Sequence, residues 1–407
     1  MALKVVVIND FGYVNGGASK FAILTAIKLA ERGHEVVFFC AVPPVSKELR
    51  SSKCKIVCTE QKDILSNSNK FSAAIQGIWN FRAYKIFNEL LKDCNPEKTI
   101  LHFHSWTKAL SSSIFNVAIK NNFKVVCTIH DYFIVCPNGG FFNYKKNEFC
   151  QVNPLSLKCI VKNCDVRNYA HKLWRVKRQI IQKYFAGIPD KIKNFIFPSP
   201  FSKSIIQPFL KNDSKIYEIS NPVELEKDKP VQAYKNKIYA YVGRLSKEKG
   251  VLLFAKASSL LNIETLFIGD GYLRNEILKI NPKAKITGWL SNNNELKEEL
   301  KKVRVLIFPS LCYEVQGMAV VEAKAMGIPV IVSNITSARE YVKDRITGLL
   351  FKSGSLDDLI EKIKLSFDDE LVKSLSENSY NDYWSKPITI EKYIEKLQNC
   401  YNFIINS

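Results

Sequence analysis

Short apolar segments alternate with helical segments along the whole chain. Residues 4–10 form a continuous apolar strand, a glycine-containing loop follows, residues 21–33 have helical periodicity, and residues 34–40 are again apolar. This order predicts a β-α-β unit whose strands are buried on both faces. Three more apolar strands follow in the first half, at residues 99–104, 124–130 and 194–199. The alternation predicts a parallel sheet covered by helices.

The same alternation begins again after residues 221–236, a charged segment that contains prolines. The apolar strands of the second half are residues 237–244, 264–271, 284–290, 303–310 and 328–334. Residues 388–404 form a helix with no strand after it, which leaves it free to pack on the first half. We therefore predict an α/β protein with two doubly wound Rossmann-like lobes that face a common cleft. The predicted domains are 1–218, 219–382 and a helix within 383–407 that packs back on the N-terminal lobe.

Length and composition fit this organisation. A chain of 407 residues exceeds what one hydrophobic core usually serves. No segment reaches the roughly 18 apolar residues of a membrane-spanning helix, and the start of the chain turns polar too early for a signal peptide. The eleven cysteines are scattered through strands and loops, a pattern typical of reduced thiols. We therefore expect a cytoplasmic location.

Four cysteines stand apart in one long predicted loop. They are Cys136, Cys150, Cys159 and Cys164. Reduced thiols are one interpretation and a structural zinc site is the other, although the spacing lacks the tight cysteine pairs of common zinc sites. Metal analysis of the purified protein distinguishes the two.

The net charge of +20 is unevenly distributed, because residues 158–215 carry thirteen lysines and arginines against three aspartates. Within this segment, apolar residues recur at helical spacing and cations occupy other faces of the same helix. The apolar positions are Tyr169, Leu173, Val176, Ile180 and Tyr184, and the cations are Lys172, Arg175, Arg178 and Lys183. Such a helix packs its apolar stripe on its own domain, or lies on an anionic membrane surface. No nucleic-acid-binding motif accompanies the charge, so nucleic acid is not an expected partner.

Two cations follow the first strand of the second lobe. Arg244 and Lys249 lie at the carboxyl end of that strand, where open α/β sheets bind ligands. Two fixed cations suit a diphosphate, because they stabilise the charge that develops on a departing nucleoside diphosphate. The alternative is a pair of solvated side chains in a loop.

Two carboxylates follow the strand at residues 303–310. Glu314 lies in the loop and Glu322 in the next helix, with Gly317 between them. Glu322 suits a ribose diol, Glu314 can accept hydrogen bonds from a sugar, and the amides of residues 317–319 can hold a phosphate. The alternative is one capping and one solvated glutamate. That alternative is weakened because the helix lies between two buried strands, where an unpaired carboxylate is costly.

The first lobe contributes a histidine. His130, followed by Asp131, closes the strand at residues 124–130 before a long loop, a position that favours contact with a ligand. His102 and His104 flank a similar strand end and are interpreted as structural.

Glycines follow an early strand in each lobe. Gly16 and Gly17 allow the backbone to approach a phosphate or a sugar, although a simple turn explains them equally well. The spaced glycines of a dinucleotide fingerprint are missing, which argues against NAD. Gly269 belongs to a turn that supports the site.

Taken together and in this order, these motifs resemble the retaining glycosyltransferase family four, a family with the two-lobed GT-B fold. The segments that carry the resemblance are Gly16 with Gly17, TIHDYFIVCP around His130, ISNPV at 219–223, GRLSKEKG at 243–250, FIGDG at 267–271 and residues 309–333. The resemblance implies that His130, Glu314, Arg244 and Lys249 are the catalytic residues. It also implies that the donor is bound by Gly16, Gly17, Arg244, Lys249, Gly269, Gly317, Met318, Ala319 and Glu322.

The resemblance also implies the reaction. A UDP- or GDP-sugar would be the donor, no cofactor or metal would be required, and the anomeric configuration would be retained. The acceptor would be a glycan or a polyprenyl-diphosphate-linked sugar of a bacterial surface polysaccharide, used at the inner face of the cytoplasmic membrane. Members often have Gly-Phe-Gly after the first glutamate, whereas this chain has Val315, Gln316 and Gly317, so the donor sugar is not assigned. A nucleotide-sugar epimerase and a non-catalytic nucleotide-sugar-binding protein are the alternatives.

Overall fold

The computed structural model describes residues 2–290 and 293–407. The strands are β1 (Lys4–Phe11), β2 (Glu35–Val42), β3 (Lys55–Cys58), β4 (Thr99–Phe103), β5 (Lys124–Thr128), β6 (Phe142–Asn143), β7 (Glu148–Phe149), β8 (Asn194–Phe197), β9 (Lys215–Glu218), β10 (Ile238–Val242), β11 (Thr265–Ile268), β12 (Lys285–Gly288), β13 (Val303–Phe308), β14 (Val330–Ser333) and β15 (Leu349–Phe351). The helices are α1 (Gly17–Glu31), α2 (Lys47–Arg50), α3 (Lys70–Ile78), α4 (Phe81–Lys92), α5 (Ser113–Lys120), α6 (Leu157–Val161), α7 (Tyr169–Tyr184), α8 (Pro200–Ile206), α9 (Val251–Leu261), α10 (Arg274–Ile280), α11 (Asn293–Lys301), α12 (Met318–Ala325), α13 (Leu356–Leu365), α14 (Asp369–Ser385) and α15 (Ile390–Asn406).

The chain divides into two compact units. The first unit contains Met1–Gly140, Gln151–Asn221 and Glu391–Ser407, and the second contains Phe141–Cys150 and Pro222–Ile390. The sequence placed the C-terminal boundary at residue 382, but α14 continues to Ser385 within the second unit. The short hairpin of β6 and β7 also belongs to the second unit, which the sequence did not indicate.

The first unit is built on a seven-stranded parallel sheet. Its strand order is β3-β2-β1-β4-β5-β8-β9. The apolar run of β1 is fully buried, as expected for a central parallel strand covered by helices on both faces. The parallel sheet predicted from the sequence is confirmed.

Helix α15 completes the core of the first unit. Its buried residues recur every three or four positions and form one apolar stripe. Two of its tyrosines also make buried hydrogen bonds. Tyr393 Oη is 2.8 Å from Thr25 Oγ1, and Tyr401 Oη is 2.6 Å from His102 Nδ1.

The second unit is built on a six-stranded parallel sheet of order β12-β11-β10-β13-β14-β15. Alternate residues of its strands enter two separate apolar clusters, so both faces are covered. One cluster includes Phe254 and Leu359 from α9 and α13, and the other includes Val320 and Ala323 from α12. This sheet also agrees with the predicted doubly wound plan.

Each sheet reverses its strand order beside its first strand. The chain builds outward from β1 to β2 and then returns to β4 on the other side, and it does the same from β10 to β11 and then β13. At such a switch point the loops on the two sides diverge and leave room for a ligand at the carboxyl ends of the strands. The two switch points are therefore where functional side chains are expected.

Helix α7 forms where the sequence predicted it, but its exposed face is the apolar one. Tyr169, Leu173, Ile180 and Tyr184 are 37%, 42%, 37% and 71% exposed. The buried positions of the helix are Lys172, Val176, Arg178, Gln179 and Gln182. Packing of the whole stripe on its own domain, one of the two interpretations of the pattern, is therefore wrong. Among the described residues, no helix is both long and apolar enough to cross a bilayer.

Candidate functional site

Lys249 and Glu314 form an ion pair at the switch point of the second unit. Lys249 ends a 3-10 turn, Lys247–Lys249, that follows β10, and Glu314 lies in the loop after β13. Lys249 Nζ is 2.6 Å from Glu314 Oε1, and the two side chains are only 24% and 14% exposed. Ser310 Oγ donates a second hydrogen bond of 2.6 Å to the same carboxylate oxygen. Two adjacent strands thus bring one cation and one anion to the same point.

The pair fixes the charge of Lys249. Burial by itself lowers the pKa of this ammonium group, but the nearby Glu314 carboxylate outweighs burial and raises the pKa above its ordinary value. Lys249 is therefore a permanent cation at neutral pH. A phosphate bound beside it would meet a positive charge that is already held in place.

Hydrogen bonds hold the turn that carries Lys249. The amide of Leu311 donates to the Glu248 carbonyl oxygen at 2.8 Å, which ties the turn to the loop after β13. Ser246 Oγ donates to the Glu248 carboxylate at 2.7 Å within the turn. Because little conformational freedom remains to be lost, the position of Lys249 does not depend on a ligand.

Arg244 lies in the same loop but differs from Lys249 in its surroundings. Its side chain is exposed and makes no hydrogen bond or ion pair within residues 2–290 and 293–407. The hydroxyl of Tyr241 donates to the Arg244 carbonyl oxygen at 2.9 Å and fixes the backbone. Gly269, which has a φ of +140°, lies against this loop, and a Cβ there would be 2.0 Å from the Gly243 carbonyl oxygen. Only glycine permits this approach.

The start of α12 has the properties of an anion-binding helix end. Gly317 is the residue before the helix and has no side chain with which to cap it. Met318 and Ala319 form the first turn, and the Met318 amide donates to the Gln316 carbonyl oxygen at 3.0 Å. A Cβ on Gly317 would lie 2.5 Å from Ala338 Cβ, so this backbone packs too closely for any larger residue. The positive end of the helix dipole remains uncompensated by an acidic residue in the first turn.

Glu322 lies further along α12 and is partly exposed between buried neighbours. Burial, with a contribution from the Glu322 charge, raises the pKa of Tyr383 to about 12. The carboxylate thus lies on the helix that follows the Glu314 loop, as the sequence predicted.

The hairpin of β6 and β7 packs on the loop that carries Glu314. The rings of Phe149 and Tyr313 are stacked, with centroids 4.6 Å apart and planes 24° apart. Cys150 donates its amide to the Phe141 carbonyl oxygen at 2.7 Å and closes the hairpin. An insertion from the middle of the chain therefore supports one side of the second unit's site.

In the first unit, His130 contacts a second histidine. His130 Nε2 is 2.9 Å from His104 Nδ1, and the two rings stack with centroids 5.1 Å apart. Burial lowers the pKa of His130 to about 4, and it also lowers the pKa of His104 well below its ordinary value. Both rings are therefore neutral at pH 7. His130 retains some accessible surface, so it can exchange hydrogen bonds with an uncharged ligand such as a sugar.

His104, which was interpreted as structural from the sequence, lies in direct contact with the candidate site residue His130. Besides its bond to His130, its Nε2 atom is buried and has no hydrogen-bond partner among the residues described. His102, by contrast, does have a structural role. It links Tyr401 of α15 to Thr128 of β5, with distances of 2.6 and 2.7 Å.

A polar network surrounds the end of β1. Ser105 Oγ donates to Asn9 Oδ1 at 2.7 Å and accepts a bond of 3.2 Å from the Asp10 amide. Asn9 Nδ2 also donates to Ser19 Oγ in α1 at 3.2 Å. The Asp10 carboxylate accepts three amides, those of residues 108–110, at 2.9 Å each. Gly16 is the residue before α1 and Gly17 is the first residue of that helix.

The four-cysteine zinc interpretation is not supported. No group of three or more metal-binding side chains with suitable geometry occurs in the described parts of the chain. Cys150 belongs to the second unit, whereas the other three cysteines belong to the first. There Lys172 lies among them and its Nζ donates to Cys159 Sγ at 3.4 Å. A positive charge therefore already lies beside the thiols of the first unit.

The predicted site residues form one group in each unit, and further polar residues lie beside them. Lys249 and Glu314 are brought into contact, while Arg244, Gly269, Gly317, Met318, Ala319 and Glu322 lie on neighbouring loops and on α12. The residues beside these groups that the sequence did not single out are Asn9, Asp10, Ser105 and Ser310. All of them lie at or just beyond the end of a strand, which is the signal that could have identified them.

Residues 15–227 match the family described as Glycosyltransferase Family 4, and residues 223–382 match Glycosyl transferases group 1. Together the two matches span residues 15–382 and include each predicted site residue.

Similar proteins come from several bacteria. An Escherichia coli UDP-Gal:alpha-D-GlcNAc-diphosphoundecaprenol alpha-1,3-galactosyltransferase is 29% identical over 219 residues, which is 47% of this chain and 55% of that protein. The Staphylococcus aureus capsular polysaccharide biosynthesis glycosyltransferase CapM is 27% identical over 180 residues, 41% of this chain and 46% of CapM. The chain thus spans about half the length of these relatives. The structure of Anabaena HepE in complex with UDP and glucose matches with a TM-score of 0.65 at 14% identity, over 98% of this chain and 99% of HepE, which shows a shared fold.

Proposed function

From the premise that the chain belongs to glycosyltransferase family 4, we propose that it is a glycosyltransferase and we propose its reaction and substrates. The proposal is a retaining transfer of a sugar from a nucleotide-sugar donor to a lipid-linked glycan of a bacterial surface polysaccharide. The Lys249–Glu314 ion pair at the switch point, beside an Arg244 with no partner in the described chain, is the observation that carries it.

The donor diphosphate is the group that the second unit would bind. Lys249 supplies a fixed cation, and Arg244 supplies a guanidinium group that can form two parallel hydrogen bonds with phosphate. The first amides of α12 and its dipole add a third source of positive potential. These groups can neutralise a leaving diphosphate without a metal ion.

The two glutamates would orient the rest of the donor. Glu314 is held by Lys249 and Ser310, so its carboxylate can accept bonds from sugar hydroxyls in a fixed direction. Glu322, on α12, would accept from the ribose diol. His130 would contact the sugar near the reacting carbon, where a neutral ring suits an uncharged hydroxyl group.

Retention follows from the role of the leaving group. The bond between the anomeric carbon and the phosphate oxygen breaks, and the acceptor oxygen bonds to the same face of that carbon. The acceptor proton passes to a phosphate oxygen of the leaving nucleoside diphosphate. Arg244 and Lys249 stabilise the charge that this group acquires, so no side chain has to act as a nucleophile.

Two neighbours support the choice of substrates. The E. coli relative is named for UDP-galactose and a diphosphoundecaprenol-linked acceptor, and the HepE structure contains UDP and glucose. We therefore propose a UDP-sugar donor and a polyprenyl-diphosphate-linked acceptor. The exposed apolar side chains and cations of α7 support use of that acceptor at an anionic membrane surface.

Nucleotide binding is the direct test. UDP, GDP, ADP and CMP are titrated into the protein by calorimetry, and UDP is expected to bind most tightly. Lys249→Met should weaken UDP binding about 10-fold or more, since a hydrogen bond to a charged group contributes roughly 1.5–3 kcal/mol. Lys247→Met is the matched control, because Lys247 is an exposed lysine of the same turn. Equal UDP affinity in the two variants would exclude this diphosphate site.

A further inference from the structure

The first unit contains a cavity that is lined by none of the proposed donor-binding residues. Its volume is about 620 Å³, and it lies between α3 and α7. Trp174 Nε1 donates to the Ala74 carbonyl oxygen at 3.1 Å and joins the two helices beside it. Pockets of this size bind ligands of drug or cofactor dimensions.

The lining of the cavity is cationic. The side chains of Lys70, Lys108, Arg167, Arg175 and Arg178 contribute to it. No carboxylate lines it within the described residues, although Asp165 pairs with Arg175 nearby at 2.8 Å. The remainder of the wall is mainly apolar. Such a site is complementary to an anion attached to an apolar group.

Arg178 indicates where the anion belongs. Its side chain is 6% exposed, and its guanidinium group lies 4.9 Å from the Phe133 ring centroid and 5.2 Å from that of Trp174. Nη1 donates to the Thr107 carbonyl oxygen at 3.1 Å, and no carboxylate within the described chain forms an ion pair with it. A buried charge with a single hydrogen bond is costly unless a partner anion is supplied.

The electrostatics of Arg178 agree with this geometry. Burial and the nearby Arg175 charge lower the pKa of Arg178 to about 9, and the more distant Asp131 and Asp10 offset this only in part. The Asp10 carboxylate is already engaged by three backbone amides. The negative charges near Arg178 therefore do not compensate fully for the burial of its guanidinium group.

The surface beside the cavity is apolar. Leu65, which lines it, is 52% exposed. Helices α3 and α6 both contact α7, and each presents a pair of apolar residues four positions apart. Phe71 and Ile75 of α3 are 77% and 43% exposed, and Leu157 and Val161 of α6 are 81% and 69% exposed. Three neighbouring helices therefore expose apolar side chains around a cationic cavity.

We propose that this cavity binds the diphosphate of a polyprenyl-diphosphate-linked acceptor, and that the exposed side chains of α3, α6 and α7 contact its polyprenyl chain. The inference rests on the proposed function, because it identifies the acceptor site of the same enzyme. Charge complementarity selects the diphosphate, and the apolar border selects the lipid. The Lys108 loop also links the site to the catalytic end of the sheet, since its amide binds Asp10 at the end of β1 at 2.9 Å.

Calorimetry with farnesyl diphosphate, farnesol and inorganic pyrophosphate tests the site on the full chain. Farnesyl diphosphate should bind at least 10-fold more tightly than either of the other two, because only it carries both groups. Saturating UDP should leave this binding unchanged. Competition by UDP, or equal binding of pyrophosphate, would mean that the probe occupies a general phosphate site, and the proposal would be wrong.

The variant Arg178→Met should weaken farnesyl diphosphate binding at least 10-fold and leave UDP binding intact. Lys177→Met is the control, because Lys177 is exposed on the same helix and does not line the cavity. If Arg178→Met does not fold, the surface double variant Lys70→Gln and Arg167→Gln takes its place, with a loss of at least threefold. Unchanged binding in a folded variant overturns the inference.

Vesicles separate the acceptor from a general membrane surface. Protein bound to phosphatidylglycerol vesicles should still bind farnesyl diphosphate, and Arg178→Met should reduce the second binding alone. A variant that loses vesicle binding and farnesyl diphosphate binding together would indicate a lipid headgroup site and contradict the proposal. Failure of the UDP titration, by contrast, would contradict the proposed function and not the presence of this cavity site.

Discussion

Removal of the Lys249 charge should affect catalysis far more than folding. Lys249→Met removes the cation beside the Glu314 carboxylate, which is 14% exposed, and keeps the hydrogen bond from Ser310. Loss of one partner from a fully buried ion pair costs about 3–5 kcal/mol, and partial exposure of both groups reduces this to about 2 kcal/mol. For a unit of this size, that lowers the melting temperature by roughly 4–8 °C.

The catalytic effect follows from the charge on the leaving group. Loss of one fixed donor from a site that stabilises developing negative charge lowers kcat by roughly 100-fold or more. A protein with roughly 5–15 kcal/mol of stability remains folded after losing about 2 kcal/mol, so unfolding cannot produce that decrease. Scanning calorimetry and steady-state transfer from the UDP-sugar measure the two effects on the same samples.

A double-mutant cycle separates the roles of the two residues. Glu314→Gln should retain UDP affinity but lose turnover, because in the proposed site the carboxylate would contact the sugar and not the diphosphate. The double variant of Lys249→Met and Glu314→Gln should be about 1–2 kcal/mol more stable than the sum of the single losses predicts, since neither charge is then left unpaired. Additive stability losses, or a normal kcat for Lys249→Met relative to Lys247→Met, would refute this explanation.

Three further outcomes are expected. Because burial holds the pKa of His102 at about 3, a histidine in the unfolded chain takes up a proton first as the pH falls. The contribution of neutral His102 to stability is therefore full above about pH 6.5, and about 2 kcal/mol is lost between pH 7 and pH 5. Urea unfolding at both pH values should show this loss, and His102→Gln should show a smaller one. His130→Ala should lower kcat roughly 10-fold or more without changing UDP affinity, and the wild-type kcat should show no ionisation of His130 between pH 6 and pH 8, because its pKa is about 4. Gly317→Ala places a Cβ 2.5 Å from that of Ala338 and should cost about 1–3 kcal/mol in thermal unfolding while weakening UDP binding; a variant as stable as wild type would contradict the packing at α12.

The sequence could predict the strands and the ends at which functional residues lie. The apolar run of residues 4–10 corresponds to β1, and the runs at 237–244 and 303–310 contain β10 and β13. Because these last two strands are neighbours in a parallel sheet, the loops that follow them meet, and Lys249 and Glu314 come within reach of each other. The proximity of Lys249 and Glu314 thus follows from the strand pattern of the sequence and from the rule that loops at the carboxyl ends of neighbouring parallel strands meet.

The contacts themselves could not be predicted from that pattern. Ser310 bonds to Glu314 only because the loop after β13 folds back over four residues, and serine at a strand end has many other uses. The hairpin around Phe149 packs on Tyr313 across a long sequence separation, with no local signal to indicate it. His104 and His130 each end a strand, but their contact depends on the register of β4 and β5.

Helix α7 shows where periodicity is insufficient and why. Its inner face packs on the loop after β5, whose carbonyl groups require donors when water is excluded. Gln179 Nε2 and Gln182 Nε2 supply them, with bonds of 3.1 and 3.0 Å to the Ile134 carbonyl oxygen. An apolar stripe could not satisfy those groups, so the polar face is buried and the apolar face remains outside. The buried Arg178, which has no ion-pair partner in the described chain, and the exposed apolar face are the two features that the proposed lipid diphosphate would satisfy together.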